Sequence, residues 1–317
     1  MDSTCQPSST ATLERPAEAD RSGRPDVAMV FAAGLGTRMR PITDTIPKPL
    51  VRVAGRTLLD HMLDRFADAG VEHAVVNVHY RGEQIIDHLR GRERPRVTLS
   101  DEREKLLDQG GGIRKVLPAL GEGAFFIANT DALWIEEGEG ATESSPAQRG
   151  RGTMRSMVEG AGADPDARPS PLHRLRRSPS PVTTDGGGAN PIAAASNSIA
   201  LLRDAWNPDR MDVLLLLARR EGAVGVDWPG DFFLGDDGRL ARRGGAEEAP
   251  FVYAGVGIMK SSLFKPYTQD VFRLAPLFFD AAEQGRLHGL PLRGRWLHVG
   301  NPAAIGEAEE ALAGTPT

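Results

Sequence analysis

The chain has 317 residues, of which 40% are apolar and 26% charged, a composition typical of a globular protein with a sizeable core. Its net charge of −5 argues against general electrostatic binding of nucleic acid, and its single cysteine, Cys5, excludes a disulfide framework or a thiolate metal site. No apolar stretch is long enough to cross a bilayer, and the N-terminus lacks the apolar segment of a signal peptide. We therefore expect a cytoplasmic protein with no nucleic-acid, membrane or protein partner.

The first part of the chain alternates short apolar runs with amphipathic stretches. Residues 1–27 mix Ser, Thr, Pro and charged residues without any aromatic side chain, which predicts a disordered tail. The apolar periodicity that follows predicts four strands (Met29–Ala33, Ala74–Val78, Val97–Ser100, Phe125–Asn129) and three helices (Thr57–Ala69, Glu83–Leu89, Gly111–Leu120). This alternation predicts an α/β fold, with a Rossmann-like, mixed and mostly parallel sheet flanked by helices.

Segment 137–196 interrupts this pattern. It holds nine Gly and seven Pro but no Phe, Tyr or Trp, so it cannot offset the conformational entropy lost on ordering. We predict a long, disordered, low-complexity insertion within one domain that is formed by residues 28–136 and 197–313. After it, the pattern predicts helices near Ser198–Trp206, Phe272–Gln284 and Pro302–Leu312, strands at Val213–Ala218, Val252–Met259 and Trp296–Val299, and a hairpin over Phe232–Leu240.

A glycine-containing loop, Ala32–Pro41, follows the first predicted strand directly. Gly34 and Gly36 allow backbone N–H groups to approach a phosphate chain closely at the carboxyl end of a parallel strand. The loop lacks the spacing of a P-loop, and Met39 stands where the dinucleotide fingerprint has its third glycine. Taken alone, the two glycines predict a tight structural turn equally well.

Four further features strengthen the phosphate-binding interpretation. Arg38 lies two residues after Gly36. Lys48, one of only five lysines, is held between two prolines, which suits a fixed positive charge directed at phosphate; the alternative interpretation of Lys48 is a surface lysine in a turn. Asp131 follows a predicted strand, where a carboxylate suits a magnesium ion or caps a helix. The segment Gln109–Gly112 would let backbone approach a base or a sugar, or would simply begin a helix flexibly.

Together these segments resemble the sugar-phosphate nucleotidyltransferases, which join a sugar 1-phosphate to a nucleoside triphosphate. The family pattern A-A-G-x-G-T-R-x-x-P followed by P-K-P is matched at Ala32–Pro41 and Pro47–Pro49. Its N-x-D after a strand is matched by Asn129 to Asp131, and its A-G-[IV] strand by Ala254 to Val256. The stretches "LDQGGGI" and "WLHVGNP" are most similar to the N-acetylmuramate-1-phosphate uridylyltransferase branch.

The resemblance implies site residues, substrates and a cofactor. It implies catalysis by Arg38, Lys48 and Asp131, with Mg²⁺ held by Asp131. The implied nucleotide-binding residues are Ala33, Gly34, Gly36, Thr37, Gln109, Gly110 and Gly111, and the implied sugar-binding residues are Asn129 and Gly255. The expected substrates are UTP and N-acetylmuramate 1-phosphate in cell-wall recycling. The alternatives are a mannose-1-phosphate guanylyltransferase, a glucose-1-phosphate thymidylyltransferase, or a non-catalytic sugar-nucleotide sensor.

One position departs from the family pattern. Where the family's C-terminal motif supplies a second magnesium carboxylate, this chain has His298. Magnesium prefers oxygen ligands, so an imidazole is a poor substitute. Three readings stay open at this point: the second carboxylate comes from elsewhere, such as Asp227; water fills the position; or a different ion binds between Asp131 and His298.

Overall fold

The computed structural model describes residues 24–137 and 197–314, so all but the first residue of the predicted insertion and most of the predicted tail lie outside the described residues. The helices are α1 (Leu58–Asp68), α2 (Gly82–Leu89), α3 (Asp108–Leu120), α4 (Ser198–Ala205), α5 (Ala275–Glu283) and α6 (Ala303–Leu312). The strands before the undescribed segment are β1 (Val27–Phe31), β2 (Arg52–Val53), β3 (Arg56–Thr57), β4 (His73–Val78), β5 (Arg96–Asp101), β6 (Ala124–Asn129) and β7 (Ala132–Glu136). Those after it are β8 (Val213–Arg219), β9 (Phe232–Leu234), β10 (Leu240–Arg242), β11 (Phe251–Lys260), β12 (Leu287–Pro291) and β13 (Gly294–His298).

The central sheet is mixed, as the sequence predicts. Its strands run in the order β10-β9-β11-β6-β1-β4-β5, and β8 and β12 extend it beside β11. Strands β6, β1, β4 and β5 are parallel, whereas β11 is antiparallel to β6 and to β8. The carboxyl ends of the parallel strands therefore meet at one edge of the sheet, where the glycine loop and Asp131 follow β1 and β6.

Two hydrophobic cores cover the two faces of the sheet. Every residue of β4 is buried, as expected for a strand between two helical layers. Helix α1 packs its apolar stripe on one face, where Phe66 meets Phe126 edge-to-face at 5.5 Å between ring centroids. Helix α3 packs Ile113 and Val116 on the other face. Within the described residues, no helix combines the length and apolar character needed to cross a membrane.

Several elements differ from the sequence predictions. The sequence does not predict the strands β2, β3, β7 and β12. Strands β2 and β3 have only two residues each and pair with each other, whereas β7 and β12 pair with strands that lie far away in the chain. Helix α3 begins at Asp108 rather than Gly111, so its glycines lie inside the first turns. Lys48 lies in a short 3₁₀ turn (Lys48–Leu50) instead of an extended segment.

Candidate active site

A cavity of about 570 Å³ lies at the carboxyl edge of the parallel strands. Its lining comes from the glycine loop after β1 and the start of α3, which we call its two walls, and from the residues after β6, which we call its floor. Most of the residues predicted for the site line this cavity: Ala33, Gly34, Gly36, Thr37, Arg38, Lys48, Gln109, Asn129 and Asp131. Segments far apart in sequence are thus brought together as the resemblance implies.

The two loop glycines have different structural roles. Gly36 has a φ of 62°, and a Cβ there would lie 3.0 Å from both Lys48 and Thr43 side chains. Its carbonyl also accepts a 2.8 Å hydrogen bond from the Thr43 hydroxyl, so a side chain at Gly36 would be strained and crowded. Gly34 is exposed, with nothing within 4 Å of a Cβ built there. Its backbone therefore leaves room for a ligand beside the loop.

Lys48 and Asp131 form an ion pair at the floor of the cavity. The Lys48 Nζ atom lies 2.6 Å from Asp131 Oδ2, and the side chains are 14% and 20% exposed. Burial would raise the pKa of Asp131, but the charge and hydrogen bond of Lys48, and the charge of His298 when this ring is protonated at acid pH, outweigh it and lower this pKa. The carboxylate is therefore ionised at neutral pH. The alternative of a surface lysine in a turn is wrong, because Lys48 is largely buried against this carboxylate.

His298 lies beside Asp131 although it is not in the wall of the cavity. The antiparallel pair β7–β13 places His298 opposite Ala132, and the Val299 N–H donates to the Asp131 carbonyl at 3.0 Å. The imidazole stacks on Trp296 at 5.4 Å between centroids and meets Trp228 edge-to-face. Burial lowers the pKa of His298, and the positive charges of Lys48 and Arg38 lower it further. The negative charge of Asp131 acts in the opposite direction and raises it. A neutral ring is the result at neutral pH.

Two carboxylates line the cavity, Asp131 beside Lys48 and Asp108 at the start of α3, and Asp131 is the one that the sequence assigns to a magnesium ion. Residues 24–137 and 197–314 contain no group of three or more His, Cys, Asp or Glu side chains that could hold a metal. Asp227, the sequence-based candidate for a second carboxylate, is exposed, and its charge acts on His298. Magnesium is commonly bound by one or two carboxylates with substrate phosphates and water completing the octahedron. Asp131 matches that pattern when phosphates are bound.

The sequence predicts that Gly110 and Gly111 at the start of α3 line the nucleotide site, but in the structure they do not line the cavity. The N–H groups of Gly110 and Gly111 donate to the Phe272 carbonyl at 3.0 and 3.3 Å. A Cβ on Gly110 would lie 2.4 Å from the Phe272 ring, and one on Gly111 would lie 1.9 Å from the Asp270 carbonyl oxygen. These glycines allow a neighbouring loop to pack closely, which corrects the expectation that their backbone is open to a nucleotide.

The predicted sugar-contacting residues lie next to each other. Gly255, with a φ of 84°, occurs at an irregularity of β11, and a Cβ there would lie 3.4 Å from the Asn129 Cβ and 2.7 Å from the Ala132 Cβ. The Asn129 Oδ1 atom accepts a 2.9 Å hydrogen bond from Gln109 Nε2, which links the floor to α3. Gly255 thus sits behind Asn129 and is not itself a lining residue of the cavity.

Sequence reasoning missed Tyr253. Its hydroxyl is buried without a hydrogen-bond partner among the described residues, and burial together with the Asp131 charge raises its pKa. Tyr253 precedes Gly255 by two residues on β11, and its ring packs edge-to-face on Phe278. A lone tyrosine in an apolar strand carries no sequence signal of such a position, because only the pairing of distant strands brings it near Asp131.

Comparison with known proteins identifies the family. Residues 28–139 match the MobA-like NTP transferase domain. The N-acetylmuramate alpha-1-phosphate uridylyltransferase of Caulobacter vibrioides is 40% identical over 92% of this chain and 99% of its own length. The protein of the same name from Neisseria meningitidis is 29% identical over 90% and 98%, respectively. The inositol-1-phosphate CTP transferase of T. maritima shares the fold, with a TM-score of 0.59 and 15% identity over 92% of this chain and 96% of that one. The chain matches these uridylyltransferases over nearly its whole length, and its motif residues line one cavity. It therefore belongs to the sugar-phosphate nucleotidyltransferase family.

Proposed function

We propose that the protein transfers the uridylyl group of UTP to N-acetylmuramate 1-phosphate and releases pyrophosphate. The observation that carries this choice is the 40% identity to the Caulobacter uridylyltransferase across nearly the whole of both chains. The cavity supports the reaction type, because it combines the cationic side chains of Arg38 and Lys48 with the Asp131 carboxylate at the carboxyl edge of a parallel sheet.

The triphosphate would lie along the glycine loop. Gly34 leaves its backbone open, and Arg38, exposed in the 3₁₀ turn (Thr37–Met39), lies in the same wall. A guanidinium suits the β- and γ-phosphates because it can donate two parallel hydrogen bonds to phosphate oxygens. Gln109 and Leu106 in the opposite wall would then flank the nucleoside.

Lys48 would act on the α-phosphate and the sugar phosphate. One oxygen of the sugar phosphate attacks the α-phosphorus in line, and the bond from that phosphorus to the pyrophosphate oxygen breaks. The attacking phosphate is already an anion, so no side chain has to remove a proton. Lys48, held at 2.6 Å from Asp131 when no phosphate is present, needs only a small shift to neutralise charge as the new bond forms.

Asp131 would hold a magnesium ion together with phosphate oxygens. When bound, the ion neutralises phosphate charge and favours departure of pyrophosphate. Asp131 suits this role because its lowered pKa keeps it ionised, and because the Val299–Asp131 backbone hydrogen bond fixes its main chain. The neutral His298 ring beside it contributes no competing positive charge.

A substrate matrix tests this proposal. The four nucleoside triphosphates are each combined with the 1-phosphates of N-acetylmuramate, N-acetylglucosamine, mannose and glucose, and pyrophosphate release is measured. We expect UTP with N-acetylmuramate 1-phosphate to give the highest kcat/KM of all pairs. Pairs that lack a polar group bound by the site should be at least about a hundredfold lower. A preference for GTP with mannose 1-phosphate would overturn the choice of substrates. Binding of a sugar nucleotide without any turnover would support the sensor instead.

A further inference from the structure

A chain of buried polar groups lies behind the glycine loop. The Ala32 N–H donates to Asn77 Oδ1 at 2.8 Å, and Asn77 Nδ2 donates to Glu102 Oε1 at 2.9 Å. The other carboxylate oxygen, Glu102 Oε2, accepts from the Leu107 N–H at 3.3 Å. Asn77 and Glu102 are 3% and 2% exposed. The chain thus connects the beginning of the loop after β1, the end of β4, and the residue before α3.

The carboxylate determines the direction of every hydrogen bond in this chain. An ionised carboxylate only accepts, so it requires N–H donors on both oxygens. Asn77 must therefore present its amide nitrogen to Glu102, which leaves its oxygen for the Ala32 N–H. Burial raises the pKa of Glu102, with the hydrogen bonds from Asn77 and Leu107 acting against it. A buried acid of this kind is costly unless its partners are fixed.

Gly112 provides the space that this arrangement needs. A Cβ on Gly112 would lie 2.8 Å from Glu102 Oε1 and 3.3 Å from Asn77 Nδ2. Glycine inside a helix costs about 1 kcal/mol relative to alanine, so its presence within α3 has to be explained by a close contact. The contact is with the carboxylate, just as Gly110 and Gly111 accommodate the loop that contains Phe272.

We propose that Glu102 is a positioning residue for the nucleotide cavity: through Asn77 it holds Ala32 and the glycine loop, and through the Leu107 N–H it holds the start of α3 that carries Gln109. The two walls of the cavity are then kept at one separation by a single carboxylate that touches no substrate. The effect on catalysis rests on the proposed function, whereas the coupling of Glu102 to the loop does not.

Amide hydrogen exchange tests the coupling directly. Glu102→Gln keeps the shape but turns an NH₂ group toward one of the two N–H donors. Because glutamine keeps one acceptor oxygen, we expect exchange at one of the two amides, Ala32 or Leu107, to become about tenfold faster, as for the loss of one hydrogen bond. Exchange in β8, on the far side of the sheet, should be unchanged. The matched control is Glu104→Gln, which removes the same charge from an exposed side chain in the same segment.

Steady-state kinetics test the consequence for the cavity. In Glu102→Gln we expect the KM for UTP to rise about tenfold while kcat falls less than about threefold, since the variant weakens positioning and leaves the reacting groups in place. Glu104→Gln should match the wild type. Unchanged exchange at both Ala32 and Leu107, together with an unchanged KM, in folded Glu102→Gln would overturn the proposal. Exchange that accelerates throughout the protein would also overturn it, because the role would then be only structural.

A second variant covers the case in which Glu102→Gln does not fold. Gly112→Ala displaces the carboxylate without removing it and should give the same local exchange and KM changes. Its control is Gly306→Ala in α6, where nothing lies within 4 Å of a built Cβ. Wild-type exchange in Gly112→Ala would count against the proposal. If the wild-type enzyme prefers another triphosphate, the exchange results still decide the coupling, so the two proposals can fail separately.

Discussion

Replacing Lys48 by Met separates the proposed catalytic role of this side chain from its ion pair with Asp131. Methionine keeps most of the apolar stem and removes the charge that lies 2.6 Å from Asp131. In catalysis, loss of a donor that stabilises transition-state charge should lower kcat/KM by about 10²–10³, or roughly 2.7–4 kcal/mol. In folding, Asp131 is left as an unpaired carboxylate in a largely buried position.

The expected loss of stability follows from the burial of the pair. Exposed ion pairs contribute up to about 1 kcal/mol, and breaking a fully buried pair costs about 3–5 kcal/mol. With side chains 14% and 20% exposed, Lys48→Met should lower the free energy of unfolding by about 1–3 kcal/mol, between those limits. Denaturant unfolding measures this value.

Two further variants show which effect belongs to which role. Adding Asp131→Asn to Lys48→Met removes the stranded charge, so stability should return to within about 1 kcal/mol of the wild type while activity stays lost. Lys260→Met is the matched control, since Lys260 pairs with Asp212 at 2.7 Å with 25% and 19% exposure, away from the cavity. It should lose some stability, buffered by Arg286 on the same carboxylate, and keep its kcat/KM. Wild-type kcat/KM in folded Lys48→Met would refute the assignment of Lys48 to the reaction.

Three other predictions follow from the described residues. His298→Asp adds a carboxylate beside Asp131 and should lower the magnesium concentration for half-maximal rate by about tenfold; an unchanged titration would mean that position 298 does not act on the ion. Burial lowers the pKa of His288 from 6.5, so the unfolded chain binds the proton first and stability should fall as the pH drops below about 6.5. His288→Leu should reduce the fall of the free energy of unfolding with decreasing pH, measured by urea titrations. Part of that fall should remain, because the pKa values of His61 and His298 are also lowered. An unchanged pH dependence would contradict the assignment to His288. Finally, Glu136 Oε1 accepts from the Ser198 N–H at 2.8 Å, so a short Gly/Ser linker in place of residues 138–196 should leave the melting temperature within a few degrees. Loss of cooperative unfolding would show that this segment is required.

Patterns that are local in the chain could be recognised from the sequence. The apolar stripe of α1, capped by Thr57, and the fully buried β4 follow from spacing and composition. The same holds for the glycine loop after β1 and for Asp131 after β6, because parallel strands in an α/β sheet present their carboxyl ends at one edge. The family, the fold class and most of the cavity wall could be predicted on this basis.

Contacts between distant segments were decided only by the tertiary structure. Lys48 and Asp131 are 83 residues apart, and nothing local to either shows that they form an ion pair. His298 comes beside Asp131 because β7 pairs with β13, a strand on the other side of the undescribed segment, and no local pattern indicates that pairing. The three glycines of α3 look alike in sequence, but Gly112 accommodates Glu102 whereas Gly110 and Gly111 accommodate the loop containing Phe272. A glycine's sequence neighbours do not specify what lies against it, because that depends on chain segments packed from elsewhere in the fold.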